Sequence, residues 1–309
     1  MTSPPRAVVR SRGPWELAFA RLRHDRTAIA AAATLTAVVV AAAVAPLIAA
    51  AVGHGPAQQY LDVGLSPTGI PLAPNSMFLL GTDSLGRDIL VRIAYGTRVS
   101  LLVGVLASAL AVLIGTIVGI VAGWYGGLVD RVLSRMMDVF LALPFLVFAL
   151  ALVAVVGPSL AISVTVIAVF CWASVGRIVR AETLSIRERE YVQAARTIGA
   201  SPARIMFVEI LPNVAPTVIV YTTLLVPGAI VSEATLSFLG LSVVPPTPSW
   251  GNMLADAMAY YKVAWWFVFF PGAALLITTV AFNLLGDSVR DALDPRRDQV
   301  APAIGEEAP

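Results

Sequence analysis

Metal-binding and redox side chains are nearly missing from this chain of 309 residues, which has one cysteine, Cys171, and two histidines, His24 and His54. A lone cysteine excludes a disulfide framework and a thiolate metal site. Inside an apolar run and beside Trp172, it reads as a small buried hydrophobe. The histidines flank opposite ends of the first apolar run. No HExxH pair, zinc-like cluster or Ser/His/Asp constellation can be assembled, so neither a metal nor a self-contained catalytic site is expected. Lysine is almost absent too. The only one, Lys262, follows Tyr260 and Tyr261 rather than a glycine-rich loop, which excludes a P-loop for ATP. Charged residues make up 13% of the chain against 58% hydrophobic. That balance is too apolar for a soluble domain and bounds the chain as a polytopic membrane protein embedded in lipid. No cofactor and no nucleic-acid partner are expected.

What is present is a series of six apolar runs: residues 27–53, Val99–Tyr125, Val139–Val156, Ser159–Val175, Val214–Val231 and Ala264–Leu285. None contains Asp, Glu, Lys or Arg, and Asp138 and Glu233 stand only at their edges. At about 1.5 Å per residue, a helix of roughly 20 residues crosses a hydrocarbon core about 30 Å thick. The first run exceeds the apolar segment of about 7–15 residues expected of a cleavable leader. In the second, Gly115, Gly119 and Gly123 recur at four-residue steps and predict a closely approaching neighbour helix. Pro144 predicts a kink in the third. Pro227 and Gly228 in the fifth run, and Pro271 and Gly272 in the sixth, each free a backbone carbonyl at membrane depth. Pathway or gating breaks and ordinary kinks explain them equally well.

The polar segments complete the plan. Residues 1–26 form a basic tail with Arg6, Arg10, Arg12, Arg21, Arg23 and Arg26, in which Trp15, Phe19 and Leu22 space an interfacial helix. Residues 54–96 form a loop, in which Asp83 suits an N-cap or Asx turn and Gly86 a tight bend. Arg87, Asp88, Arg92 and Arg98 mark a helical lead-in to the core, residues 97–287, which holds the five later runs. Residues 288–309 form a polar tail. With both termini cytoplasmic, seventeen of the twenty-one basic residues fall inside. The outer side keeps Arg87, Arg92, Arg98 and Lys262, as the positive-inside rule requires.

Thr183–Asn213 is a charged run between two apolar ones. Ser185 and Glu188 read as a capping box, and Gly199 as a helix stop. Ser201 and Pro202 start a second helix, which Pro212 ends. Tyr191, Ala194, Ala195 and Ile198 share one face of the first helix. Ile205, Val208 and Leu211 stripe the second. A bent amphipathic pair between two spans suits a handle for a soluble partner or a loop resting on headgroups.

The run QAARTIGASPARIMFVEILPN resembles the EAA loop of ABC importer permeases, with Gln193, Ala194, Ala195, Gly199, Ile210, Leu211 and Pro212 at the motif positions. Gln193 replaces the usual Glu. GTDSLGRD followed by YGTRVSLLVG, with LSFLGL and PPTPSWGNML, resembles the dipeptide, oligopeptide and nickel branch. The resemblance implies an all-α polytopic membrane protein with six transmembrane helices, the MetI-like permease fold of type I ABC importers with a cytoplasmic coupling helix. It further implies a non-catalytic permease subunit, working with a second permease subunit, two ATP-binding subunits and an extracytoplasmic substrate-binding protein. In such a subunit Glu190, Gln193, Ala194, Ala195, Arg196, Gly199, Leu211 and Pro212 would serve ATPase coupling. Short peptides are the substrate the branch implies, with nickel complexes or glutathione as alternatives. A stand-alone secondary transporter is the rival. It usually seats ionisable groups inside its spans, and the six runs have none.

Overall fold

The computed structural model describes residues 14–293. The first half of the basic tail, with Arg6, Arg10 and Arg12, and the polar piece 294–309 lie outside the described residues. Among the described residues the fold is helical throughout, with only isolated β-bridges besides. The helices are α1 (Pro14–Leu22), α2 (Arg26–Ala43), α3 (Ala45–Val52), α4 (Ile89–Tyr125), α5 (Gly127–Ala142), α6 (Phe145–Val156), α7 (Leu160–Arg187) and α8 (Glu190–Thr197). There follow α9 (Pro202–Arg204), a π-helical turn (Ile205–Ile210), α10 (Leu211–Phe238), α11 (Trp250–Ala257) and α12 (Trp265–Leu293). Five helices are long and apolar enough to cross a membrane: α2, α4, α7, the unbroken Pro202–Phe238 and α12.

Several elements depart from the sequence expectation. The third span is a pair of helices, α5 and α6, meeting at 88°. Pro144 becomes the N-cap of α6 and Leu143 before it is extended, because a residue preceding proline is driven out of the helical region. The result is a break where a kink was expected. Helix α4 starts at Ile89, ten residues before the apolar run. Asp88 caps it by accepting from the Leu90 N–H at 2.8 Å, and this satisfies a donor that the start of any helix leaves open. Arg92 and Arg98 therefore lie within α4. Arg92 is buried against Asp83 at 3.1 Å. Arg98 donates to the carbonyl of Ala43 at 2.8 Å, where α2 breaks. Helices α7, α10 and α12 overrun their apolar runs, since hydropathy marks depth in lipid and not where a helix stops. Glu233 thereby sits inside α10, fully buried, five residues before the helix ends.

The glycine ladder of α4 packs on α7. A Cβ at Gly115 would stand 2.7 Å from the Trp172 carbonyl oxygen, and one at Gly119 2.7 Å from that of Gly176. Gly123 would meet Thr183 at the same distance. The four-residue step thus has the consequence expected of it, a helix pair too close for side chains. Beyond this seam, α10 packs on α4 and α12, and α2 on α12. Val103, Ala107, Val164, Ile167, Ala229 and Leu236 make the core where α4, α7 and α10 meet.

Candidate functional site

The bend between α7 and α10 forms as follows. Helix α7 runs through Ser185 and ends at Arg187, with Glu188 as its C-cap. The expected capping box does not form there. Ile186 is fully buried in a cluster with Val192, Ile205 and Val214, and burying an Ile side chain at about 1.5–3 kcal/mol outweighs a cap of about 1 kcal/mol. Arg189, with φ −72° and ψ 145°, turns the chain into α8. The Arg187 side chain reaches back to the other helix of the seam, donating to the carbonyl of Gly123 at 3.1 Å. It thus satisfies an acceptor that the end of α4 leaves open.

Helix α8 is anchored by one residue and one hydrogen bond. Val192 is buried with Ala195 half-buried beside it. Gln193 donates from Nε2 to the carbonyl of Arg187 at 2.9 Å. A Glu carboxylate has no donor for that carbonyl, so the departure from the motif builds a bond here. Of the predicted apolar face, Ala195 turns inward, while Tyr191, Ala194 and Ile198 are exposed, Ile198 to 85%. Glu190 and Arg196 are exposed at opposite ends of the helix.

Gly199 closes α8 with φ +83°. Its N–H bonds to the Arg196 carbonyl and that of Ala200 to Ala195, both at 3.1 Å, the pair of bonds that ends a helix on a left-handed residue. No atom lies within 4 Å of a Cβ built there, so only the backbone demands glycine. Ser201 then caps the next helix, its Oγ accepting from the Arg204 N–H at 3.3 Å, with Pro202 in the first turn.

The second helix does not end at Pro212. Through Ile205–Ile210 it is π-helical, and the Leu211 N–H bonds five residues back to Met206. Proline enters a turn already widened, where its missing N–H costs less than in a regular ladder. The same widening changes the stripe. Ile205 and Ile210 are buried with Val214, Leu211 packs half-buried against them, and Val208 is half exposed. Between the end of α4 and this bend lies a cavity of about 720 Å³ lined by Trp124, Tyr125, Arg187, Glu188, Gln193 and Arg196 among others.

The structure brings Glu190–Gly199 together on one short projecting helix and joins Leu211 to it through the buried cluster, while Pro212 beside it is exposed. It does not bring Pro227, Gly228, Pro271 and Gly272 there. Both prolines are buried inside unbroken helices, α10 and α12, which pack on each other; Gly228 is exposed and Gly272 half-buried. Sequence reasoning missed Arg187, and also Asp130 and Arg180, which bond bidentately and fasten α5 to α7. The signal for the second pair was an acid and an arginine at the ends of neighbouring spans. Among the described residues no group of three or more His, Cys, Asp or Glu could hold a metal.

Comparison with known proteins bears on this geometry. Residues 115–299 match the family described as binding-protein-dependent transport system inner membrane component. Residues 13–67 match the N-terminal TM domain of oligopeptide transport permease C. The dipeptide transport system permease protein DppC of Escherichia coli is 47% identical over 80% of this chain and 82% of its own. The di/tripeptide transport system permease protein DppC of Pseudomonas aeruginosa is 40% identical over 90% of this chain and 91% of its own. The oligopeptide transport system permease protein OppC of Salmonella typhimurium is 41% identical over 93% of both chains. Among solved structures, the MetNI methionine ABC transporter in inward-facing conformations superposes with a TM-score of 0.55 at 18% identity, over 66% of this chain and 96% of that one. That match carries the fold alone. A helical chain with a bent, partly uncovered helix between two long spans, related to these permeases over most of its length, belongs to the family of binding-protein-dependent transport system inner membrane components.

Proposed function

We propose that this chain is the permease subunit of an ATP-driven importer of short peptides, and that α8 is the helix through which a partner ATPase drives it. The peptide assignment is carried over from the transport systems named for the DppC and OppC relatives. The observation that carries the coupling role is how α8 is held. Val192 and the Gln193 bond seat one side, while Tyr191, Ala194 and Ile198 present an apolar side to solvent. An exposed apolar face flanked by charge suits a cleft on a soluble partner.

In this reading the exposed Ala194 permits close approach of the partner, Ala195 lets α8 sit close on the buried cluster, Gly199 sets the bend, and Glu190 and Arg196 supply rim charges. Leu211 and Pro212 join the bend to α10. The chain is non-catalytic. Two ATP-binding subunits supply the energy, a second permease subunit completes the path, and an extracytoplasmic binding protein delivers solute. Both termini and the bend 183–213 face the cytoplasm, consistent with the arginine distribution. Closure of the ATPases would drag α8, and through it α7 and α10, between inward-open and outward-open arrangements. Pro227, Gly228, Pro271 and Gly272 would be the points at which the moving helices give or line the path.

Gly199→Val tests the docking role. A β-branched residue at positive φ is a severe outlier, and the site has room for the side chain, so the change acts on the bend alone. Insertion and assembly with the partner subunits should persist, while uptake of a labelled dipeptide and transport-dependent ATP hydrolysis should fall at least tenfold. Normal uptake would count against the role.

A further inference from the structure

Glu233 is fully buried in α10, with its oxygens held by hydroxyls. Ser237, one turn on, donates to Oε1 at 2.6 Å, and Ser100 of α4 donates to Oε2 at 2.8 Å. Among the described residues no arginine, lysine or histidine forms an ion pair with it. Ser249, the N-cap of α11, is fully buried at the same junction. Gly251, in the first turn of α11, presses on α10 so closely that a Cβ would collide with the Ala234 carbonyl. The backbone of Ser249 would lie 3.4 Å from a Cβ at Gly96 of α4. Three helices therefore converge on one carboxyl group.

Such a group is expensive. An ionisable group buried without a cation is costly where an apolar side chain is not, so its retention asks for a role. The helix that carries it supplies the function. Pro202–Phe238 is unbroken, so at about 1.5 Å per residue Glu233 lies roughly 45 Å along the same rod from the bend after α8. We infer that Glu233 is a positioning residue, a clasp that ties α4 to the far end of the α10 rod, beside the seat of α11. Displacement of the rod then carries α4 with it. The inference rests on the reading that partner ATPases move α10 through α8.

The test uses the complete transporter, assembled with its partner subunits and reconstituted in liposomes. Glu233→Ala should lower uptake of a labelled dipeptide at least tenfold. Glu233→Gln, whose amide still offers an acceptor to one hydroxyl and a donor to the other, should lower it less than twofold. The double variant Ser100→Ala/Ser237→Ala, which keeps the carboxyl and removes its partners, should reproduce Glu233→Ala even if that variant fails to assemble. Spin labels on the exposed Leu102 and Val231 should report one α4 to α10 distance with and without vanadate-trapped nucleotide in the parent, and two distances in the double variant. Wild-type uptake with an unchanged single distance in the double variant would overturn the clasp, as would equal losses in Glu233→Gln and Glu233→Ala. A cysteine at position 194, cross-linked to the ATPase in every variant, separates the two readings. A missing cross-link in the parent itself is a failure of docking, whereas a lost distance with the cross-link intact is the clasp.

Discussion

The two ends of α4 are secured by opposite means. At its start, residues 54–92 fold into a lobe that turns polar groups inward: the charged Asp83, Asp88, Arg87 and Arg92 are all buried, and so is His54. Asp83 holds Arg87 at 2.6 Å and Arg92 at 3.1 Å, and Asp88 holds His54 at 2.7 Å while capping the helix. His54 in turn stacks on Phe78, with ring centroids 4.8 Å apart. At its end, α8 is fastened by Val192, one amide bond and a glycine turn, and leaves an apolar face uncovered. The lobe pairs most of its buried polar groups internally, Arg92 Nε being left without a hydrogen bond. The bend has a surface that only a second molecule would cover. The difference teaches where to look for motion: an inward-facing charge network resists rearrangement, whereas a helix with few anchors moves with whatever grips it.

The contrast can be broken at the lobe first. Asp83→Ala removes the carboxylate that two buried guanidinium groups share, and with it the acceptor of the Leu85 and Arg87 N–H groups. Removing one partner of a buried ion pair costs about 3–5 kcal/mol. The thermal midpoint of the detergent-solubilised protein should drop sharply, and an unchanged midpoint would show that the lobe is not held by charge. At the bend a smaller effect is expected. Gln193→Glu exchanges a donor for an acceptor opposite the Arg187 carbonyl, at a cost of about 1 kcal/mol. Dipeptide uptake should fall several-fold with stability nearly intact. Equal or faster uptake would mean that the amide bond does not seat α8.

The smallest effect belongs to Asp256, at the rim of the lobe, where Arg87 approaches it at 3.4 Å. Burial pushes its carboxyl above the ordinary carboxylate range, and Arg87 and Arg92 only partly offset this. An acid whose folded value is raised binds its proton more tightly when folded, so stability declines as pH rises from the ordinary value through the raised one. Asp256→Asn should flatten that part of the melting profile between mildly acidic and neutral pH. A profile as steep as the parent's would assign the slope elsewhere.

Local chemistry was legible wherever it depended on residues close in the chain. The glycine ladder, the left-handed stop at Gly199, the Ser201 cap and the turn at Asp83 all involve neighbours or a fixed helical period. What escaped was decided by partners far away. Arg187 and Gly123 are 64 residues apart, and nothing in either segment names the other. The capping box at Ser185 was a sound local signal, overruled by the burial of Ile186 against residues from three other helices. Glu233 looked like an edge residue because apolarity alone set the limits of its span, and its hydroxyl partner Ser100 comes from another helix. For the residues proposed for coupling, the pattern located the segment, while the outward side of α8 depended on which face Val192 claimed.

The seat of α1 on α12 bears on a matter of arithmetic. Arg21 donates to the carbonyl of Ala292 at 3.1 Å, at the last turn of α12. The beginning and the end of the helical array are thereby neighbours. Were both at one face of a bilayer, the chain would cross an even number of times, a count the five long helices reach only if the sharply folded pair α5 and α6 adds a sixth passage.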